Sequence, residues 1–493
     1  MATIDGAMWA TTRTVKTSDA HSRIHAQPAG AADPGGRVRA GTQGGASVSA
    51  ASIRIAGLMR RFRRNRLGGA VGWGVCGALA GRFAALTSAV LLARLLGPAR
   101  YGEYALVLST VMMVSSVATT GVGAAASKYL ADLRGSAPEL RATGLAAVAL
   151  IAFAFSSVAG VALYWTAPGL AARHFGRPEM AVPLVVGAVA LFFSIVQGAA
   201  QGALNGLERF RGVALLNTAA AVALACALPA FAYLGGTVAA VAAWSVVTAI
   251  SACCAGLMVL RSAVRMGTVS KPRLWRELKR FSATGAPIAL SALVMAPVNW
   301  LAMSLLARTP AGLEEVGRFN AAYQWYIGLA FIPSVIASAT LPLLSRSRSA
   351  RDGRGFAAIV RDGVLLNMLV AFASAALVWV LADAIMGMYG PQYRESASLL
   401  RWLAVASAAN GLNAAIGQVM TASNQLWFGV FVNLLWSAVF LGWVAARVSA
   451  TGALAIAQGL VAAYVVHTLI HLAFLRRHLR DAGGLHGRRH GVL

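Results

Sequence analysis

Twelve predominantly apolar runs, each longer than 20 residues, constrain this 493-residue chain more than any other feature. They cover residues 68–95, 104–126, 144–167, 182–204, 213–234 and 238–260, then 286–307, 321–344, 364–386, 399–422, 426–446 and 453–475. A bilayer core about 30 Å thick is crossed by roughly 20 residues of helix. In hydrocarbon every backbone N–H and C=O must be satisfied within its own segment, which a helix does and an isolated strand does not. The runs therefore predict an all-α integral membrane protein with about 12 transmembrane helices. Composition agrees: 58% of residues are hydrophobic and 12% charged, with a mean hydropathy of +0.67.

The formal charge of +27 comes from 43 Lys and Arg against 16 Asp and Glu. A chain so basic invites comparison with nucleic-acid binders, but the cations cluster in short loops between apolar runs. On a path that alternates sides from a cytoplasmic start, 28 Lys and Arg fall inside and 9 outside. That asymmetry predicts both termini in the cytoplasm, with the basic loops attracted to anionic membrane lipids and no nucleic-acid partner. Cys76, Cys226, Cys253 and Cys254 all lie inside apolar runs. They have neither metal-ligand spacing nor an aqueous loop for a disulfide, so they read as small packing residues.

Residues 1–58 are rich in Ala, Gly, Ser and Thr without apolar periodicity, and a disordered extension is expected there. Met59 opens a basic patch, MRRFRRNR, running straight into the first span, and is expected to be the natural start. Beyond it, the spacing predicts an N-lobe over 59–262, a cytoplasmic linker over 263–283, a C-lobe over 284–476 and a basic tail over 477–493. The linker segment KPRLWRELKRF places Leu274, Trp275, Leu278 and Phe281 on one helical face, with Pro272 near the helix start. A short repeat supports two lobes. LLAR ends the first run at Arg94 and the seventh at Arg308, and each is followed eight or nine residues later by a glycine, Gly102 or Gly317. Parallel six-helix repeats are a standard transporter plan.

Arg82 sits near the middle of the first run, where a charge costs about 2.5–3.5 kcal/mol on insertion scales. It is expected to face a wet cavity or a partner, and a guanidinium there suits an anionic group such as phosphate. Gln197, Gln201 and Asn205 recur at every fourth residue of the fourth span, and Asn410, Asn413 and Gln418 lie on the tenth. Asn299, Asn320, Tyr323 and Gln324, with Trp300, Trp325 and Tyr326, flank the outer ends of the seventh and eighth. Such amides and aromatics suit sugar hydroxyls and ring faces, and serve equally as interhelical hydrogen bonds and interfacial belts. Gly72, Gly77, Gly81, Pro287, Pro297, Pro333 and Pro342 allow close packing and bends within spans.

No phosphate-binding G-x-x-x-x-G-K-[ST] loop occurs, and no metal site or cofactor is expected. Of the acids, only Asp383 falls within a predicted span, near its outer end. A cation-coupled drug exporter is expected to hold a deep carboxylate, and a membrane polymerase or ligase an acidic outer loop. Both remain alternatives, weakened by those absences.

The stretch LLARLLGPARYGEYALVLS, following a span that carries Arg82, resembles the opening of bacterial Wzx-type polysaccharide flippases of the multidrug/oligosaccharidyl-lipid/polysaccharide (MOP) exporter superfamily. The pattern R-x-L-G-P-x-x-Y-G falls on Arg94, Leu96, Gly97, Pro98, Tyr101 and Gly102, and GALNGLERFRGVALLN is similar to the family's loop between helices four and five. The resemblance implies a two-lobed, MATE-like bundle in the bacterial inner membrane. It also implies a central cationic cavity that flips an undecaprenyl diphosphate-linked oligosaccharide outward for exopolysaccharide or O-antigen assembly, alongside other polysaccharide-assembly proteins. Arg82 would be the substrate arginine of the first helix. Arg94, Arg308 and Arg318 would be further cations, bordering the outer mouth.

Overall fold

The computed structural model describes residues 66–349, 353–423 and 425–487. The expected disordered extension, the Met59 patch and the last residues of the tail lie outside them. The described chain is helical and, among those residues, contains no strand.

All twelve apolar runs fall in helix, the ninth with a break at Leu381. The first and second share α1 (Arg66–Ala118), which bends at Gly97, where φ is 70°. Only glycine adopts that conformation without strain, and Pro98 fixes the next φ, so the helix must turn there. A π-helical turn, Thr119–Gly123, leads into α2 (Ala124–Asp132). The third and fourth spans are α3 (Pro138–Gly169) and α4 (Ala181–Gly206). The fifth and sixth share α5 (Phe210–Val264), broken at Gly235 and Gly236. The second half follows with α6 (Lys271–Ala307), α7 (Gly312–Ser349), α8 (Gly353–Val380), the short α9 (Ala382–Gly387), α10 (Ala397–Ala422), α11 (Leu426–Thr451) and α12 (Ala453–Gly487). Among the described residues, eight helices are long and apolar enough to cross a membrane by length and composition.

Two sequence expectations change in detail. The ninth run does not continue to residue 386: α8 ends at Val380, and Asp383 stands on α9. Asp383 is 69% exposed and paired with Arg401, so it is a surface acid. The linker helix is also not a separate element, because α6 runs from Lys271 without a break into the seventh span. Phe281 is buried against Tyr129 of α2, with ring centroids 5.4 Å apart. Trp275, assigned to the same face, is exposed.

Apolar side chains such as Phe83, Trp165, Leu215, Leu369 and Trp427 face outward, as lipid solvent permits. At the end of the bundle carrying the Gly97 and Gly235 bends, the elbow end, one core joins both halves: Leu92, Tyr101, Leu306, Phe319, Tyr389 and Phe440 belong to it. At the opposite, basic end the core divides. Tyr129, Leu133, Leu145 and Phe281 form one cluster, and Leu344, Phe356, Val360 and Val419 another. The halves are thus cemented at one end and packed separately at the other.

Candidate substrate cavity

Arg82 lies on the first limb of α1, fifteen residues before the Gly97 bend, or about 22 Å along the helix. Its guanidinium sits over the Phe331 ring of α7, 5.5 Å from the centroid. One turn on, Leu86 Cδ1 lies 3.8 Å from where a Cβ on Gly328 of α7 would stand, whereas a Cβ on Gly81 would lie 3.6 Å from that of Ala221 in α5. These contacts put Arg82 on the seam between the halves, on the basic-end side of the shared core. The residue is exposed, and among the described residues no carboxylate lies within ion-pair distance of it. An aromatic face can hold a guanidinium while leaving its N–H donors free for an oxyanion.

The elbow end is shut by contacts between the halves. A Cβ on Gly102 would stand 1.8 Å from the Leu313 carbonyl oxygen, and one on Gly317 would stand 2.0 Å from that of Pro98. Glycine alone lets the α1 bend and the start of α7 approach this closely. Around the crossing, the Tyr393 hydroxyl donates to the Ala93 carbonyl (3.3 Å), and Arg177 Nη2 donates to the Pro310 carbonyl (3.2 Å). Trp300 Nε1 donates to Thr110 Oγ1 (3.0 Å), and the Trp300 ring stacks on His174 at 4.8 Å. Burial pushes the Tyr389 and Tyr393 phenols well above their ordinary pKa, so both stay neutral here.

The four arginines singled out in the sequence do not gather in one place. Arg94 Nε donates to the Met388 carbonyl at the elbow end. Arg318 pairs with Glu315 at 3.2 Å and Glu314 at 3.9 Å, and the other Glu315 oxygen accepts the Ala453 N–H at 2.9 Å. Arg308 is exposed at the end of α6. Arg82 stands apart, far down the seam.

The amides divide similarly. Gln197 donates to Ser251 Oγ (2.7 Å) and Gln201 to Asn217 Oδ1 (2.7 Å), both tying α4 to α5. Their row adjoins Gly198 and Gly202, where α4 seats against the π-helical turn: a Cβ on Gly202 would lie 2.1 Å from the Gly123 carbonyl oxygen. Asn413 donates to Thr468 Oγ1 (2.9 Å), tying α10 to α12. Tyr323 stacks between Phe319 and Tyr326. Asn320 is buried with its Nδ2 unpartnered. Asn205, Asn299, Gln324 and Asn410 are half-buried or exposed and make no side-chain hydrogen bond among the described residues, so these four keep free amides. The sequence reading passed over two sites. Glu277 is 3% exposed and accepts from the Tyr129 hydroxyl. His467 and His471 are buried together in α12. Their signals were an acid on the linker helix and two histidines four residues apart within a span.

A two-halved membrane bundle of this kind, joined by one core at one end and packed as two clusters at the other, has the fold of MOP-superfamily transporters. A multidrug transporter of the MATE family in an inward-facing conformation superposes with a TM-score of 0.71 at 15% identity, over 82% of this chain and 96% of that one. The lipid II flippase MurJ in an inward closed conformation gives 0.70 at 12% identity, over 82% and 87%. An outward-facing MATE transporter gives 0.59 at 16% identity, over 86% and 98%. The chain belongs to the polysaccharide biosynthesis protein family, whose profile matches residues 69–348. It is 28% identical over 398 residues to the EPS I polysaccharide export inner membrane protein EpsE of Ralstonia solanacearum, covering 79% of this chain and 89% of that one. It is also 25% identical over 413 residues to the lipid III flippase of Escherichia coli K12, covering 80% and 94%.

Proposed function

We propose that this chain is a flippase of the bacterial inner membrane that carries an undecaprenyl diphosphate-linked oligosaccharide from the cytoplasmic to the outer leaflet, by alternating access, for surface polysaccharide assembly. The observation that carries this reading is the unpaired Arg82 guanidinium on the seam where the shared core gives way to two separate clusters. The relatedness to a polysaccharide export protein and to a lipid III flippase supports the cargo class. The excess of Lys and Arg in loops at the basic end supports placing that end in the cytoplasm, beside anionic headgroups.

On this reading the diphosphate meets Arg82, the sugars lie along free amides of the seam, and the polyprenyl tail stays in lipid. Arg94, Arg308 and Arg318 border the outer mouth and act when the elbow end opens. No bond is made or broken. The protein lowers the cost of drawing charge and hydroxyls through hydrocarbon, and reorientation shifts an equilibrium between two arrangements. Leaflet-specific labelling of the lipid-linked intermediate tests the proposal: cells lacking the protein are expected to accumulate it on the cytoplasmic face. Accumulation on the outer face would instead indicate a polymerase or ligase, and ion-driven efflux of cationic dyes a drug exporter.

A further inference from the structure

We propose that His467 and His471 form a proton-binding site inside the second half, whose occupancy biases the bundle between its two arrangements. The two side chains project from successive turns of α12, 9% and 4% exposed, with Nε2 atoms 3.0 Å apart. At that distance one ring donates an N–H to the other. The accepting ring, neutral, must then carry its own proton on Nδ1, while the donating ring has a bare Nδ1. Both Nδ1 atoms are buried and without a partner. The neutral pair therefore holds two ring protons and offers one lone pair. A third proton, taken from water, lands on that nitrogen and leaves the pair with a single positive charge.

Among the described residues nothing nearby neutralises such a charge. On α12 itself Tyr464 stacks with His467 at 6.4 Å, and its hydroxyl is bonded to Tyr326 of α7 at 2.8 Å. From α11 comes Trp436, packed on Tyr464, and from α10 comes Asn413, bonded to Thr468. All are uncharged. The described acids of the helices packed around α12 are Glu314 and Glu315 of α7, held by Arg318, and Asp362 of α8, held by Arg361. Glu315 also caps α12 at Ala453, fourteen residues or about 21 Å before His467. The cations of these helices, Arg346 and Arg348 of α7, Arg401 of α10 and Arg447 of α11, bond to neither imidazole, and Arg476 and Arg477 beyond the pair on α12 are exposed. Ionisable groups inside a membrane bundle are rare and mark ion pathways and proton relays, and buried polar atoms left without partners call for a functional account.

The sign follows from the orphaned Nδ1 atoms. In the arrangement seen here, with the elbow end shut, a protonated pair has no acceptor for its outward N–H groups. Proton uptake therefore disfavours this arrangement and shifts the population toward the alternative one, with the elbow end open and the packing around α12 changed. This inference rests on the transporter reading but not on the cargo, and its test uses none.

Spin labels at Leu234→Cys and Leu381→Cys, exposed positions at the elbow end of each half, report the spacing of the halves in the full chain, with its native cysteines replaced, in lipid nanodiscs. As pH falls from 8 toward 4, the long-distance population is expected to grow with a one-proton slope. His467→Gln and His471→Gln should each shift the midpoint, since the remaining imidazole titrates without its partner, and the double variant should abolish the dependence. Arg82→Ala, which removes the proposed cargo contact, should leave it in place, so a wrong cargo assignment and a wrong proton site give different results. Distances independent of pH in the unsubstituted chain, or a titration surviving in the double variant His467→Gln with His471→Gln, overturn the proposal. Should the glutamine variants fail to fold, the ¹⁵N signals of labelled histidine in the unsubstituted chain decide it. A pair that gains a proton within this range supports the site, and one that stays neutral throughout refutes it.

Discussion

Gly102 and Gly317 lie backbone to backbone, each amide nitrogen 3.0 Å from the point where the other's Cβ would stand. They are also the two glycines that follow the repeated LLAR segments in sequence. Equivalent positions of the two halves therefore meet face to face at the elbow end, as an axis along the membrane normal requires. The crossing is the hard stop of the closed arrangement.

Gly102→Ala or Gly317→Ala should pry this stop apart. The new methyl group collides with backbone, which cannot rotate away, and overpacking of this kind costs about 1–3 kcal/mol. Because that strain exists only with the elbow end shut, inter-half distances measured by paired spin labels should shift toward the open arrangement, with helical content unchanged. Distances identical to those of the parent would show that the contact carries no strain.

The charge on Arg82 should matter more than its seat. Arg82→Lys keeps the cation and is expected to retain part of the flipping rate in proteoliposomes, whereas Arg82→Ala should lose it and Arg82→Glu should be worse still. Removing the aromatic face with Phe331→Leu forfeits about 0.5–1 kcal/mol of cation–π attraction, so a reduction of no more than roughly fivefold is expected. A normal rate from Arg82→Glu would remove this residue from the mechanism.

Tyr129 and Glu277 should prove energetically coupled. Tyr129→Phe leaves the buried carboxylate without its hydroxyl donor, at a cost of about 1–3 kcal/mol. Removing both polar groups together, as Tyr129→Phe with Glu277→Leu, should cost less than the two single changes added. Thermal unfolding in detergent gives the four corners of the cycle, and strict additivity would mean that the two side chains do not interact.

Gly202→Leu should be among the most damaging changes in the first half. Its side chain would enter the space held by the Gly123 carbonyl, unseating α4 from the π-helical turn. Loss of folded protein is expected by size-exclusion profile. By contrast, Gln201→Ala one residue earlier gives up a single exposed amide hydrogen bond, and a loss of no more than about 1 kcal/mol is expected.

Length and apolarity announce spans directly, because a helix of fixed rise must match a layer of fixed thickness, and all twelve runs were legible for that reason. Arg82 was legible because a charge in mid-run is costly wherever the chain goes. What Arg94 and Arg318 do was not. Arg94 bonds a carbonyl 294 residues away, and Arg318 pairs across turns with acids that local composition did not single out. Asp383 was placed inside a span because apolarity continues past Val380, whereas the helix itself stops there. The histidine pair was overlooked because its meaning lies in the burial of both rings, which a periodic pattern does not report.

The unbroken course of α6 has a mechanical consequence. A rod anchored at its start on α2 and delivered at its finish into the second half cannot slacken as a loose string would. Any turn of one half must be passed along it as torque or absorbed by bending within it. Pro287 and Pro297 lie within that rod, and each lacks the N–H that would brace the preceding turn. Flexure within such a rod is therefore easier at these two positions than elsewhere along it.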